Sequence, residues 1–361
     1  MIVGQPDVDF AEPAPETDLG VMSHVLRDLR GAFERARAAD INLAGFAAHS
    51  LTTTYLGSTT GLRRRFVQPT GSFQMMGRSL DGKRSTWSGI GTADFTDVSI
   101  DDVENELRYR LELAERTFEM PAGRYDVVMS PSAVADMMIR IYAAAVGQNA
   151  EDGKSVFSRP GGGTRIGDQL SALPFELRSD PADPLLACTP FLATTASSAQ
   201  SSVFDNGVGL ERTEWISEGR LERLMYHRAG AARLDARFTG PISNLTLELP
   251  GATGTTADLV ESTERGLLVN SLWYIREVDP STLLLTGLTR DGVYLIEDGH
   301  IVGQINNFRF NESPVDLLAR STQVGETVRA LGRETGDSFN RTAMPPLRVA
   351  QFNMSSVSPA S

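Results

Sequence analysis

The chain has 361 residues, 41% of them hydrophobic and 22% charged, which is enough apolar material for a large folded core, more readily in two domains than in one. Its formal net charge of −12 at pH 7 disfavours nucleic acid as a partner, because the phosphate backbone repels an acidic surface. No apolar run approaches the roughly 20 residues that span a bilayer, so no membrane segment is predicted.

The first third of the sequence has the pattern of a small α/β unit. Residues 1–20 are rich in Pro, Asp and Glu and predict an extended lead-in without the features of a secretory signal, so we expect a cytoplasmic protein. A first helix is predicted from about Ser23 to Ala38, and a second from about Ile100 to Phe118. The apolar face of the first helix is predicted to hold Val25, Leu26, Leu29 and Phe33. Strands and turns are predicted between the helices, with strands at 51–56, 62–67 and 72–76 and turns at 57–58 and 69–71.

The remainder of the chain predicts a larger, β-rich domain. A break near residue 120 separates a domain at 21–120 from one at 121–361. A strand at Tyr125–Met129 is followed by a third helix, for which Ser130 is the predicted N-cap and Pro131 the first residue. From Gly161 onward short strands alternate with turn residues. Two tight turns are predicted at Thr289–Gly292 and Glu297–His300, each containing an Asp-Gly pair.

A search for catalytic chemistry finds no local signature. The chain has four histidines, His24, His49, His227 and His300. No two of them have the one-turn spacing of a helical zinc site, and the chain has no C-x-x-C. We therefore predict no catalytic residue and no metal ligand. The single Cys188 is predicted to pack at a strand edge, and the basic run Arg63–Arg65 is interpreted as a solvated strand end.

A series of segments, in this order along the chain, resembles the C-terminal domain of the TldD/PmbA peptidase family. The segments are Ser130–Ala135, Ser155–Ser158, Ser202–Gly207, Glu264–Val269, Thr289–Gly299, Asn307–Ser313 and Ala343–Arg348. Together they span roughly residues 120 to 350. The portion from about Gly20 to Phe118 resembles the back half of the family's N-terminal α/β domain. The resemblance implies an α+β fold, with a partial N-terminal α/β domain before the β-rich C-terminal domain.

The family resemblance also implies a heterodimeric peptidase. One subunit type, TldD, carries zinc through a helix-borne H-E-x-x-x-H and a later Cys, and the second type, TldE/PmbA, lacks these ligands. The helix at the matching place here is Val134–Ile141, which contains no histidine. The chain therefore resembles the second type. No cofactor is expected in it, and zinc is expected in a TldD-type partner, although a homodimer is an alternative.

The resemblance predicts that this chain helps to enclose a chamber for unfolded peptides, with backbone pairing of the strand type. Whether it is itself an enzyme is left open. The substrate-binding candidates are Trp273, Tyr274, Arg276, Asp205, Asn206, Arg290 and Asp291. Two alternatives remain: a metal-independent enzyme that processes a peptide-derived metabolite, and a non-enzymatic binding or regulatory protein.

Overall fold

The computed structural model describes residues 2, 4 and 6–358. Helices account for 21% of the structure and strands for 38%, which confirms the α+β class. The N-terminal elements are α1 Ser23–Ala38, β1 Ile41–Gly57, β2 Arg63–Ser79, β3 Ser85–Thr92, α2 Ile100–Leu113 and β4 Thr117–Phe118. The next elements are β5 Gly123–Met129, α3 Pro131–Ala144, α4 Gly147–Glu151, β6 Glu176–Ser179, β7 Thr213–Ser217, β8 Arg220–Leu221, α5 Arg228–Arg233 and β9 Leu245–Glu248. The last are α6 Thr256–Glu261, β10 Arg265–Asp279, β11 Leu284–Glu297, β12 His300–Ile305, β13 Phe308–Glu312, α7 Pro314–Ala319, β14 Ser321–Val324, β15 Val328–Ala330, β16 Thr342–Met344 and β17 Leu347–Val357.

The N-terminal unit is a three-stranded antiparallel sheet, β1-β2-β3, whose apolar core is formed with α1 and α2. The predicted turn at residues 69–71 is wrong, because β2 runs unbroken through them. Pro69 is tolerated there because β3 pairs with β2 only from Gly71 onward, which leaves Pro69 on an open edge. The second helix ends at Leu113 rather than Phe118, and residues 117–118 instead pair with β12.

The bounds predicted for α1 are confirmed, but half of its predicted apolar face is wrong. Leu26 and Phe33 are 49% and 41% exposed, whereas Val25, Ala32 and Ala36 are buried. The small alanine side chains allow α1 to approach α2 closely, so the packed face is the one that carries them.

The lead-in folds along the open edge of β2. The backbone N–H of Asp7 donates to the Arg63 carbonyl at 2.9 Å, and the Asp7 carboxylate pairs with Arg64 at 3.2 Å. Asp9 pairs with Arg65 at 2.7 Å. The interpretation of the basic run as a solvated strand end is therefore wrong for Arg64 and Arg65, whose charges are paired with carboxylates of the same chain.

Two further sheets form the larger part of the molecule. In the eight-stranded sheet, the order β10-β5-β17-β13-β11 closes into a ring because β11 also pairs with β10. The other sheet has the order β15-β16-β9-β6-β7-β8. Helix α3 packs between the two, against β10 and β16. Ser130 caps α3 as predicted, by accepting from the Ala133 N–H, and Pro131 is its first residue.

The predicted turn at Thr289–Gly292 is wrong, because β11 is continuous through these residues. Asp291 and Gly292 together oppose the single residue Asn270 of β10, which makes a β-bulge. Their φ angles of 50° and 121° are the positive values that an Asp-Gly pair adopts readily, so the sequence signal was real but marks a bulge. The second predicted turn is confirmed, since β11 ends at Glu297 and β12 begins at His300.

The structure also bears on the predictions made for Cys188 and for membrane-spanning segments. Cys188 is 1% exposed, as expected for a packing residue, but it lies in a loop and not in a strand. Every helix within the described residues is too short or too polar to span a bilayer.

Candidate functional site

The bulge in β11 aims the Asp291 carboxylate at the N-terminal unit. Asp291 is 5% exposed, and it accepts a hydrogen bond of 2.9 Å from the Ser85 hydroxyl of β3. Its second oxygen receives N–H groups of Arg333 at 2.8 and 3.3 Å. The Asp291 carboxylate thus links the ring of strands to both β3 and the loop that follows β15.

The guanidinium of Arg333 lies between two indole rings. It is 4.9 Å from the ring centre of Trp87 on β3 and 5.0 Å from that of Trp273 on β10. Cations bind the negative faces of indoles more favourably than those of other rings. Gly89 makes room for Trp87, because a Cβ at that position would lie 2.3 Å from the ring.

Asp136 on α3 holds the loop 331–336, which carries Arg333, through hydrogen bonds. The Asp136 carboxylate is fully buried and accepts N–H groups of Glu334 and Thr335 and the Thr335 hydroxyl at 2.8–3.2 Å. Burial raises the pKa of Asp136 to about 6, and the hydrogen bonds from Thr335 oppose that rise. The only carboxylate on α3 therefore holds a loop in place.

The next residue of this loop, Glu334, reaches the strand β10. One Glu334 oxygen accepts the backbone N–H of Tyr274 at 2.8 Å, and the other pairs with Arg276 at 3.0 Å. Tyr274 has a φ of 56°, which turns its ring out of the strand, and Arg276 stacks 4.4 Å from the centre of that ring. Because Tyr274 is 56% exposed, this pair faces solvent.

We call the group formed by Trp87, Trp273, Asp291, Arg333 and Glu334 the arginine junction. Four residues predicted from the sequence lie in it or contact it: Trp273, Tyr274, Arg276 and Asp291. A fifth, Arg290, precedes Asp291 in β11, and its carbonyl accepts the Ser271 hydroxyl at 2.8 Å.

The other two predicted residues make contacts in a different loop. Asp205 is 3% exposed and pairs with Arg228 at 2.7 Å. The Asn206 side chain bonds the backbone N–H and carbonyl of Thr194 at 2.8 and 2.9 Å. Both side chains are therefore committed to holding their loops.

Sequence reasoning missed Trp87, Asp136, Arg333 and Glu334. They are separated from Trp273 by dozens of residues or more, and no local pattern marks an arginine that stacks on distant rings. The one available signal was Gly89 beside Trp87, since a glycine within a strand marks close approach of another group.

A cleft of about 420 Å³ adjoins the arginine junction, between the N-terminal unit and the start of α3. At its floor the Ser130 hydroxyl donates to the Asn270 carbonyl at 2.5 Å, and Ser132 donates to the Leu331 carbonyl at 2.7 Å. Both hydroxyls are engaged by carbonyl groups, and neither has a base beside it. Neither of these two serines is therefore set up as an activated nucleophile.

The residues of α3 do not fit a zinc ion. Val134, Met137 and Met138 are fully buried in the apolar core, and the Asp136 oxygens already accept hydrogen bonds from the loop 331–336. In the range 6–358, no three His, Cys, Asp or Glu side chains are grouped as metal ligands would be.

Comparison with known proteins identifies a family for most of the chain. Residues 122–356 match the model of the PmbA/TldA metallopeptidase C-terminal domain. A search of curated proteins finds no match.

Ten solved chains match this fold, and three of them illustrate the likeness. TldE from Thermococcus kodakarensis has a TM-score of 0.75 at 15% identity, over 98% of this chain and 79% of that one. A candidate modulator of a DNA gyrase from Thermotoga maritima gives 0.76 at 16%, over 98% and 79%. A similarly named protein from Bacteroides thetaiotaomicron gives 0.71 at 14%, over 98% and 74%. At these identities the likeness establishes the fold alone.

Proposed function

The chain belongs to the PmbA/TldD metallopeptidase family, and on that basis we propose that it is the metal-free, TldE-like subunit of a two-subunit zinc peptidase. In this proposal it forms part of the chamber that holds unfolded peptides, while a TldD-type partner supplies zinc and the reaction. It needs no nucleic acid or membrane, and it acts in the cytoplasm.

The proposal depends mainly on what the side chains of α3 contact. At the place where the family resemblance puts the zinc-bearing helix, this chain has apolar residues packed between two sheets, and one carboxylate, Asp136, that binds backbone N–H groups. Replacing that packing with metal ligands would require burying several more polar groups, which is costly without partners.

The exposed pair Tyr274 and Arg276, which contacts Glu334 of the arginine junction, supports a role in peptide holding. Tyr274 presents an exposed ring and Arg276 an exposed cation. Glu334 holds both residues, because its carboxylate accepts the Tyr274 backbone N–H and pairs with the Arg276 guanidinium. Aromatic and arginine side chains contribute much of the binding energy at recognition surfaces, and a pre-ordered pair loses little entropy when a ligand binds.

The proposal is tested by co-expressing this chain with an H-E-x-x-x-H-bearing family subunit from the same genome. We expect hydrolysis of an unfolded peptide substrate by the complex, and none by either subunit alone. Hydrolysis by this chain alone after exhaustive chelation contradicts the proposal. Failure of the two subunits to associate favours a binding or regulatory protein instead.

A second experiment tests whether Tyr274 and Arg276 contact the peptide substrate. The double variant Tyr274→Ala/Arg276→Ala is expected to raise KM about tenfold or more while the zinc content of the complex stays unchanged, because the pair contacts substrate and not metal. The matched control is Arg212→Ala, which removes an arginine that is 51% exposed and paired with Glu214. This control should leave both KM and kcat unchanged.

A further inference from the structure

The strand β2 has one edge that is only partly covered. β1 pairs with all of β2, but β3 pairs with it only from Gly71 to Arg78. Along the uncovered part, the lead-in residue Asp7 bonds the Arg63 carbonyl and the Arg65 N–H, and Arg341 bonds the Pro69 carbonyl. Because alternate residues of a strand point to the same edge, the N–H and carbonyl of Val67 face outward between these two contacts.

A cavity of about 150 Å³ opens beside Val67, where β3 would lie if it were longer. Its apolar wall is formed by Phe66, Val67, Pro184, Leu185, Leu186 and Ala187. Leu185 is 65% exposed at the rim, and Leu186 is 3% exposed inside. The volume is below the usual range for drug-sized ligands and suits about one amino-acid residue.

The polar side of this cavity holds the guanidinium of Arg341, together with Gln68, Asn340 and Arg329, and Arg329 is paired with Asp97. The Arg341 guanidinium donates to the Pro69 carbonyl at 2.7 Å, the Thr70 hydroxyl at 2.6 Å and the Asn340 side-chain oxygen at 3.2 Å. Three of its five N–H donors are thus used, all by neutral acceptors. Burial lowers the pKa of Arg341, which reflects the cost of the desolvated charge.

Several other arginines with little exposure have an acidic partner, although Arg140 donates to the Ile275 carbonyl and pairs with no carboxylate of the described residues. Arg178 pairs with Asp183 and Glu248, Arg333 with Asp291, and Arg65 with Asp9, at 2.7–3.3 Å. Among the residues that the structure describes, no carboxylate lies within 4.0 Å of the Arg341 guanidinium. A partly buried cation with free donors and no anion is a site to which a carboxylate ligand adds the missing charge.

We propose that this cavity binds the C-terminal residue of an extended peptide. The terminal carboxylate pairs with Arg341, the peptide backbone pairs with Val67 on the open edge of β2, and an apolar side chain packs on Leu185 and Leu186. The inference rests on the proposed peptide-holding function and specifies one end of the peptide. Only the C-terminal residue of a peptide can both pair its carboxylate with Arg341 and pair its backbone with the open edge of β2. An internal peptide segment can make only the backbone contact.

The test is isothermal titration calorimetry on the full chain without any partner subunit. The ligands are acetyl-Ala-Ala-Leu with a free carboxylate, the same peptide as its C-terminal amide, and acetate as a bare carboxylate. We expect the acid to bind at least about tenfold more tightly than the amide, because a charge-assisted hydrogen bond is lost. Acetate should bind far more weakly than the acid, because it lacks the backbone and side-chain contacts.

Two variants locate the binding. Arg341→Gln should abolish the preference for the acid. Leu185→Asp, at an exposed rim position where folding is not at risk, should weaken binding of the acid about tenfold and of the amide much less, through repulsion of like charges. The control Arg212→Gln should change neither affinity. If Arg341→Gln fails to fold, Leu185→Asp decides the question.

Equal affinities for the acid and the amide, or no binding of either, overturn the inference. Acetate binding as tightly as the peptide acid also overturns it, since the cavity would then be a simple anion site. Peptide hydrolysis by the two-subunit complex is measured separately, so a failed titration with an active complex rejects this cavity and leaves the proposed function standing.

Discussion

Arg333 and Asp291 form an ion pair whose side chains are only 14% and 4% exposed, with the shorter contact at 2.8 Å. The pair connects a bulge in β11 to the loop after β15, two segments that are 42 residues apart. A buried carboxylate depends strongly on such a partner, because removal of one member leaves an uncompensated charge.

Replacement of Arg333 by Ala is therefore expected to be strongly destabilising. The free energy of unfolding should fall by about 3 kcal/mol or more, measured by urea denaturation. The control Arg212→Ala breaks a pair with Glu214 in which both side chains are about half exposed, and should cost less than about 1 kcal/mol. Equal effects of the two variants would contradict the structural role given to Arg333.

Asp136 predicts a specific pH dependence of stability. Its folded-state pKa of about 6 lies above the ordinary value of 3.8, so the folded protein binds this proton more tightly than the unfolded chain does. The stabilisation from this proton is fully present below about pH 4 and is lost as the pH rises through 6. Relative to Asp136→Asn, the unfolding free energy of the wild type should fall by on the order of 3 kcal/mol between pH 4 and pH 7. A difference that is constant across this range would contradict the prediction.

Gly89 should not tolerate a side chain. A Cβ there would lie 2.3 Å from the Trp87 ring, so Gly89→Ala must displace the indole from Arg333. We expect a loss of about 1–3 kcal/mol in the free energy of unfolding and a change in tryptophan emission. Gly209→Ala is the control, because nothing lies within 4 Å of the added carbon. Unchanged emission in Gly89→Ala would show that Trp87 does not lie against this glycine.

Cys188 is expected to be unreactive in the folded protein. Burial raises the pKa of its thiol, so the reactive thiolate is scarce and inaccessible. Reaction with a disulfide reagent at pH 8 should be slow under native conditions and complete after unfolding in guanidinium. Rapid stoichiometric labelling of the native protein would contradict the buried position.

Local sequence signals predicted the elements whose ends are set by nearby residues. The bounds of α1 and the N-cap at Ser130 are confirmed because capping and helical periodicity act within a few residues. The Asp-Gly pair at 291–292 was interpreted as a turn because a bulge and a tight turn require the same positive φ angles. Only the pairing with β10 distinguishes the two.

The candidate site was less predictable because it is assembled from distant parts of the chain. Trp273 and Arg276 stood out as an aromatic and charged segment, and both contact the loop 331–336. Arg333 did not stand out, since its role depends on two rings 60 or more residues away. Arg341 could not be selected from the sequence either, because its place beside a cavity and among neutral acceptors depends on the fold.

The most direct measurement is zinc content per subunit, determined by mass spectrometry of the metal after this chain and its H-E-x-x-x-H-bearing partner are purified separately and as a complex. The partner is expected to bring about one zinc ion into the complex, and this chain alone none. Stoichiometric zinc that remains with this chain after the partner has been removed would contradict its assignment as the metal-free subunit.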